Sequence, residues 1–122
     1  MAGNDVPSPT TFLLTRNAAL DLRRIHTRSR REWGEDVADQ YLGDLYAAMG
    51  VAAANPEKGR LRQYRSAPFL MLPARQHFVV YDLVPQGIVV LTVQYQVRDI
   101  ETLIAELTPT FVTEVERLKQ KV

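Results

Sequence analysis

The chain contains no cysteine. That excludes a disulfide framework, a thiolate metal site and a cysteine nucleophile, and it fits a reducing compartment. Histidine is nearly as scarce: only His26 and His77 occur. They fall on segments of different type with no ligand cluster beside either, so each reads as a surface or hydrogen-bonded side chain and no metal site is expected. No apolar run approaches the roughly 18 residues of a membrane helix. Residues 1–10 show no basic stretch followed by an apolar one, so no secretory leader is read there. A Walker loop, a GxGxxG turn and a Ser/His/Asp spacing are all missing, and no cofactor is expected.

What is present is a globular composition. Of 122 residues, 46% are apolar and 24% charged, which suffices for one domain with a core of useful size. The net charge of +1 hides a block pattern. Residues 16–31 hold six arginines against Asp21, and residues 32–57 hold six acids with no Lys or Arg. Residues 58–98 return to Lys58 and five arginines against Asp82. Arginine outnumbers lysine 12 to 3, and arginine is the better residue for bidentate contact with phosphate or carboxylate and for stacking. The blocks fit either a polyanion or acidic partner chain, or ion pairing within the molecule.

The chain punctuates itself clearly. Residues 1–9 read as a flexible tail rich in Gly, Asn, Pro and Ser. Thr10 to Leu14 suits a strand. Thr15 can cap a helix that begins at Arg16, because its hydroxyl can accept a free first-turn amide. Ala18, Leu22, Ile25, Ser29 and Trp33 continue one stripe for about four turns, with Trp33 expected as a core anchor. Gly34 breaks the pattern, and Glu35 and Asp36 open a second helix where acids complement the dipole. Its apolar face is Val37, Tyr41, Leu45, Ala48, Met49 and Ala52, widened by Ala38 and Leu42. Asn55-Pro56-Glu57-Lys58-Gly59 ends it. So short a break predicts an antiparallel hairpin.

After Gly59 the period changes to that of strands. Phe69–Leu72, Phe78–Val84 and Ile88–Val97 are the candidates, with a hairpin turn at Pro85-Gln86-Gly87. Pro68 and Pro73 predict that the first of these is short, an edge, or bulged. The last should be interior, with Val89, Leu91, Val93, Tyr95 and Val97 on one face. Asp99 and Thr108-Pro109 each start a helical pattern. The expectation is an α+β domain with an N-terminal strand, an antiparallel helical hairpin packed on a mostly antiparallel sheet of about four strands, and a C-terminal helix.

This order of segments resembles the ParE branch of the ParE/RelE toxin superfamily. The stretches that carry the resemblance begin with Leu14-Thr15 through Asp21-Leu22 and Ile25, then Trp33-Gly34-Glu35, Ala38, Tyr41 and Leu42. They continue with Asn55 to Arg60, His77 to Tyr81, Ile88 to Leu91 and Arg98 to Glu101. The resemblance covers residues 10–107, leaving 1–9 as a tail and 108–122 as a helical extension. That extension either folds back, pairs with a second copy as a homodimer, or occupies part of an antitoxin groove. The resemblance implies a cytoplasmic bacterial toxin of a type II toxin–antitoxin pair that binds and poisons DNA gyrase, neutralised by a ParD-like antitoxin. The alternative it implies is a ribosome-dependent mRNA endoribonuclease of the RelE type.

Cleavage of RNA through the ribose 2′-hydroxyl needs a base, an acid and cations on the phosphate. Tyr95 could be the acid; Arg65, Arg75 and Arg98 could hold phosphate; His77 is the one nearby candidate base. A titratable trio converging around Tyr95 would favour that chemistry. Without it, the arginines Arg60, Arg62, Arg65 and Arg98 are the target-binding candidates. Leu20, Leu45 and Met49 are the antitoxin-binding candidates, on a hairpin face expected to be left open by the sheet.

Overall fold

The computed structural model describes residues 11–64, 67–96 and 114–117. The elements follow in the order β1 (Thr11–Leu14), α1 (Arg16–Trp33), α2 (Glu35–Ala54), a 3-10 turn (Pro56–Lys58), β2 (Arg60–Tyr64), β3 (Ala67–Ala74), β4 (His77–Val84) and β5 (Gly87–Tyr95). The sheet order is β1-β5-β4-β3-β2. β1 runs parallel to β5, and the other pairs are antiparallel. The α+β class and the helical hairpin are as the sequence predicts. The tail at 1–9 and the helical pattern expected from Asp99 lie outside the described residues. Of the segment after Thr108, only residues 114–117 are described, as a helical turn.

Thr15 ties the layers together at the start of α1. Its hydroxyl accepts from the Ala18 amide at 3.0 Å and donates to the Leu91 carbonyl at 2.7 Å. Its own amide donates to the Val90 carbonyl at 3.0 Å. One threonine therefore caps the helix and pins it to β5. Gly34, at φ 93°, closes α1 and opens α2, a left-handed conformation that favours glycine.

Two apolar layers result. Between hairpin and sheet lie Leu22, Leu45, Met49, Val79, Tyr81, Ile88 and Val90. On the other side of the sheet lie Phe69, Met71, Val80, Val84, Val89, Leu91 and Val115. Val115 is 8% exposed, and Glu114 accepts from the Arg16 amide at 2.9 Å. The described turn of the C-terminal segment thus folds back over the outer sheet face.

Four local expectations need correction. The sheet has five strands rather than four, because Arg60–Tyr64 pairs along β3 as an edge strand. β3 is long and interior, despite its prolines. Pro68 lies where β3 pairs with β2 alone, and Pro73 where it pairs with β4 alone. A missing amide there leaves no gap in a two-sided ladder. In β5 the register shifts opposite Val80/Tyr81, a bulge that passes over Leu91 and moves Val93 onto the hairpin side with Val90. Trp33 is no core anchor: it is 68% exposed.

Candidate functional site

Only the first half of α1 sits on the sheet: its buried residues are Ala18, Asp21 and Leu22. The second half, with the start of α2, overhangs the β3–β4 turn and the end of β5. Under the overhang is a groove of about 890 Å³. Arg24 and Arg28 line it from α1, Tyr41 from α2, Arg75 from the β3–β4 turn and His77 from the start of β4, while Trp33 and Tyr95 stand in its walls.

The turn is held by an unusual number of contacts. Arg75 has φ 57°, a left-handed conformation that costs a non-glycine residue about 1–3 kcal/mol unless its surroundings fix it. Gln96 fixes it. Its side-chain amide donates to the carbonyls of Arg75 and His77, both at 3.1 Å, and its backbone amide donates to the Gln76 carbonyl at 3.0 Å. Arg75 Nε lies 3.4 Å from an Asp44 carboxylate oxygen. Its guanidinium carbon lies 5.2 Å from the Tyr41 ring centre, within cation–π range.

Tyr41, His77 and Tyr95 converge beneath it. The Tyr41 hydroxyl lies 2.6 Å from His77 Nδ1 and accepts from the Gln76 amide at 3.1 Å. His77 meets Tyr95 edge to face, with centres 5.5 Å apart at 87°. Burial, then the nearby Arg28 charge, lowers the His77 pKa below its ordinary 6.5, so the ring is neutral at pH 7. Nδ1 is therefore engaged by the Tyr41 hydroxyl whichever of the two carries the shared proton. The carboxylate lining the groove is Glu32, and it lies 3.4 Å from Arg28 Nε.

The expected charge pairing across the hairpin is mostly missing. One polar side-chain contact of this kind forms among the described residues, between His26 Nε2 and an Asp39 carboxylate oxygen at 2.8 Å. Arg24 and Arg28 approach carboxylates of their own helix, Asp21 at 3.9 Å and Glu32 at 3.4 Å. Their side chains remain 74% and 80% exposed. A shallower depression lined by Arg23, Arg24, Arg28 and Arg31 continues along α1.

Of the residues singled out from sequence, the groove unites Tyr95, Arg75 and His77. Arg65 and Arg98 lie outside the described residues. Arg60 and Arg62 stand on edge strand β2 and do not line the groove. Leu45 and Met49 are fully buried against the sheet, so the hairpin face that carries them is closed, not open. Leu20, at 37% exposure, remains accessible. Arg24, Arg28, Tyr41 and Trp33 are groove residues that sequence reasoning did not place there, and Gln96 braces the turn behind them. The i, i+4 spacing of Arg24 and Arg28 was a usable signal; nothing marked Gln96. No group of three or more His, Asp or Glu among the described residues is placed to hold a metal ion. No helix among them is long and apolar enough to cross a membrane.

Comparison with known proteins bears on this geometry. The family model for the ParE toxin of type II toxin–antitoxin system parDE matches residues 12–100. Curated proteins called Toxin ParE1, from the Mycobacterium tuberculosis strains CDC 1551 / Oshkosh and ATCC 25618 / H37Rv, are each 33% identical over 91 residues. Each match covers 74% of this chain and 93% of the relative. Among solved structures, a chain of the chromosomal ParDE system from P. aeruginosa has the same fold. Its TM-score is 0.61 at 18% identity, covering 72% of this chain and 98% of that one.

Proposed function

The chain belongs to the ParE toxin family of type II toxin–antitoxin systems, and from that premise we propose that it arrests bacterial growth from the cytoplasm by binding DNA gyrase and is neutralised by a ParD-like antitoxin. The observation that supports a binding inhibitor over an enzyme is the state of the groove. Its arginines and aromatic rings are of the kind that recognise a partner, and the Nδ1 of the histidine it holds is engaged by Tyr41. Arg60, Arg62, Arg65 and Arg98 are proposed contacts to the target, and Leu20 to the antitoxin. Leu45 and Met49 would reach a partner only if the hairpin lifted from the sheet. The domain responsible spans 10–107, with 108–122 as an extension.

The deciding experiment is gyrase supercoiling with the purified chain, alone and with the product of an adjacent antitoxin reading frame. Inhibition that the antitoxin reverses is the expected result. An unaffected reaction at excess protein removes gyrase as the target.

One observation favours a second reading. Tyr41, His77 and Tyr95 converge beside Arg75, the kind of grouping that RNA cleavage would use. In that reading, a ribosome-dependent endoribonuclease of the RelE type, Tyr95→Phe abolishes growth arrest while the protein stays folded. Primer extension then shows new mRNA ends after induction. Growth arrest that survives Tyr95→Phe, without such ends, excludes it.

A further inference from the structure

We propose that the overhung groove binds a single-stranded segment of nucleic acid, stacking bases on Trp33 and Tyr95 and holding phosphates on Arg24, Arg28 and Arg75. This goes beyond the gyrase reading, since neither gyrase binding nor neutralisation requires the toxin itself to touch nucleic acid, and it differs from the cleavage reading in requiring strand binding with no bond broken.

The two most exposed aromatic side chains among the described residues support it. Trp33 is 68% exposed and Tyr95 55%, yet both line the same groove and neither is needed by the core. Rings left in water beside cations are the combination that strand-tracking proteins use: a positive groove follows the backbone, and aromatic faces accept any base. The cations are arginines with exposed side chains, each approaching one carboxylate at 3.4–3.9 Å, so guanidinium donors remain for phosphate. Arg24, Arg28 and Arg31 fall at i, i+4 and i+7 and continue the positive track along α1 for about 10 Å at 1.5 Å per residue. That length suits an extended chain better than a single small anion. The His77 ring also lines the groove and can meet a base edge. Arg75 is fixed before any ligand arrives by Gln96, Asp44 and Tyr41, which reduces the ordering cost of binding. An acidic peptide would satisfy the arginines but offers no ring to stack on Trp33 and Tyr95.

Trp33 is the only tryptophan, so the protein carries its own reporter. The purified full chain is titrated with a dT 12-mer, a rU 12-mer and a 12-residue polyglutamate. Tryptophan fluorescence is read together with the anisotropy of labelled probe. The expected result is saturable quenching by an oligonucleotide, with the DNA and RNA arms showing which strand is preferred. Tyr95→Ala weakens binding by about 5- to 150-fold, the range for losing one base–aromatic stack. Arg24→Gln combined with Arg28→Gln lowers the slope of log K against log salt by about 1.4, two phosphate contacts at about 0.7 each. Both sites are exposed, and unchanged circular dichroism and melting confirm that the variants fold.

No binding of either oligonucleotide overturns the proposal. So does polyglutamate binding as tightly as the oligonucleotides, or an affinity that Tyr95→Ala leaves unchanged. Growth arrest is scored separately with Trp33→Ala. A parent chain that is toxic yet binds neither oligonucleotide removes this inference and leaves the proposed function standing, whereas strand binding lost in Trp33→Ala supports it.

Discussion

Replacing Asp21 with alanine should unfasten α1 from β5. Asp21 is 8% exposed, and its carboxylate accepts from the Thr92 hydroxyl, the Val93 amide at 3.1 Å and the Asn17 side-chain amide at 3.1 Å. Alanine leaves the Val93 amide and the Thr92 hydroxyl proton without that acceptor. Asn17 keeps its second contact, to Thr92. Two orphaned buried donors at about 1–3 kcal/mol each, less the relief of no longer burying a carboxylate, give a loss of about 2–4 kcal/mol. For a domain of this size that is a fall in Tm of about 10 °C. Asp21→Asn retains an acceptor oxygen and should stay within about 1 kcal/mol of the parent.

The pair also separates hydrogen bonding from charge. Burial, offset by the Thr92 and Val93 bonds and Arg24, raises the Asp21 pKa above 3.8. A raised carboxyl binds its proton more tightly in the folded state, so its contribution is greatest below 3.8 and is lost as pH rises through the raised value. The parent should therefore gain stability relative to Asp21→Asn as pH falls from 7 towards 4. Urea melts at pH 4 and 7 measure both quantities. An alanine variant within 1 kcal/mol of the parent, or an asparagine variant as damaged as alanine, refutes the account.

Three further outcomes follow from the packing. A Cβ at Gly59 would run into the Tyr81 hydroxyl, which donates to the Pro56 carbonyl at 2.7 Å; Gly59→Ala should cost about 1–3 kcal/mol by urea melt, and a neutral result would mean that the loop moves freely. Arg75→Gly relieves the positive φ and should leave stability within about 1 kcal/mol, whereas Arg75→Val, with a branched side chain there, should lose about 1–3 kcal/mol in thermal melts. Equal stability of the two variants would show that the turn carries no strain. The lowered His77 pKa gives stability that is complete above 6.5 and lost as pH falls through the lowered value; stability curves of the parent and His77→Gln should converge in that window, and parallel curves would place the titration elsewhere.

Much of the scaffold was legible because local signals agreed with one another. The Thr15 cap, the Gly34 break and the acids at 35 and 36 put α1 and α2 at the bounds observed. β2 escaped notice because Arg60-Leu61-Arg62-Gln63-Tyr64 has the composition of a solvated loop; it is a strand because β3 offers it an edge. The bulge at Leu91 reversed the expected facing of Val93, since a single extra residue shifts every side chain after it. Trp33 continues the α1 stripe and yet faces water. The buried residues of α1 are confined to its first half, so the end of the stripe overhangs the groove instead of the sheet. Periodicity reports which residues share a face, not whether anything lies opposite.

The order of residues alone determined the two helices, the strands other than β2, the hairpin, the absence of thiol chemistry and the excess of arginine over lysine. Each of those depends on neighbours a few positions apart or on composition. Tertiary structure decided which arginines work together. Arg24 and Arg28 meet Arg75 and Tyr95 only because α1 overhangs a turn about 50 residues downstream, while Arg60 and Arg62 are carried away to an edge strand. Proximity across the fold depends on strand register and helix length relative to sheet width, and neither quantity is written in any short stretch of the chain.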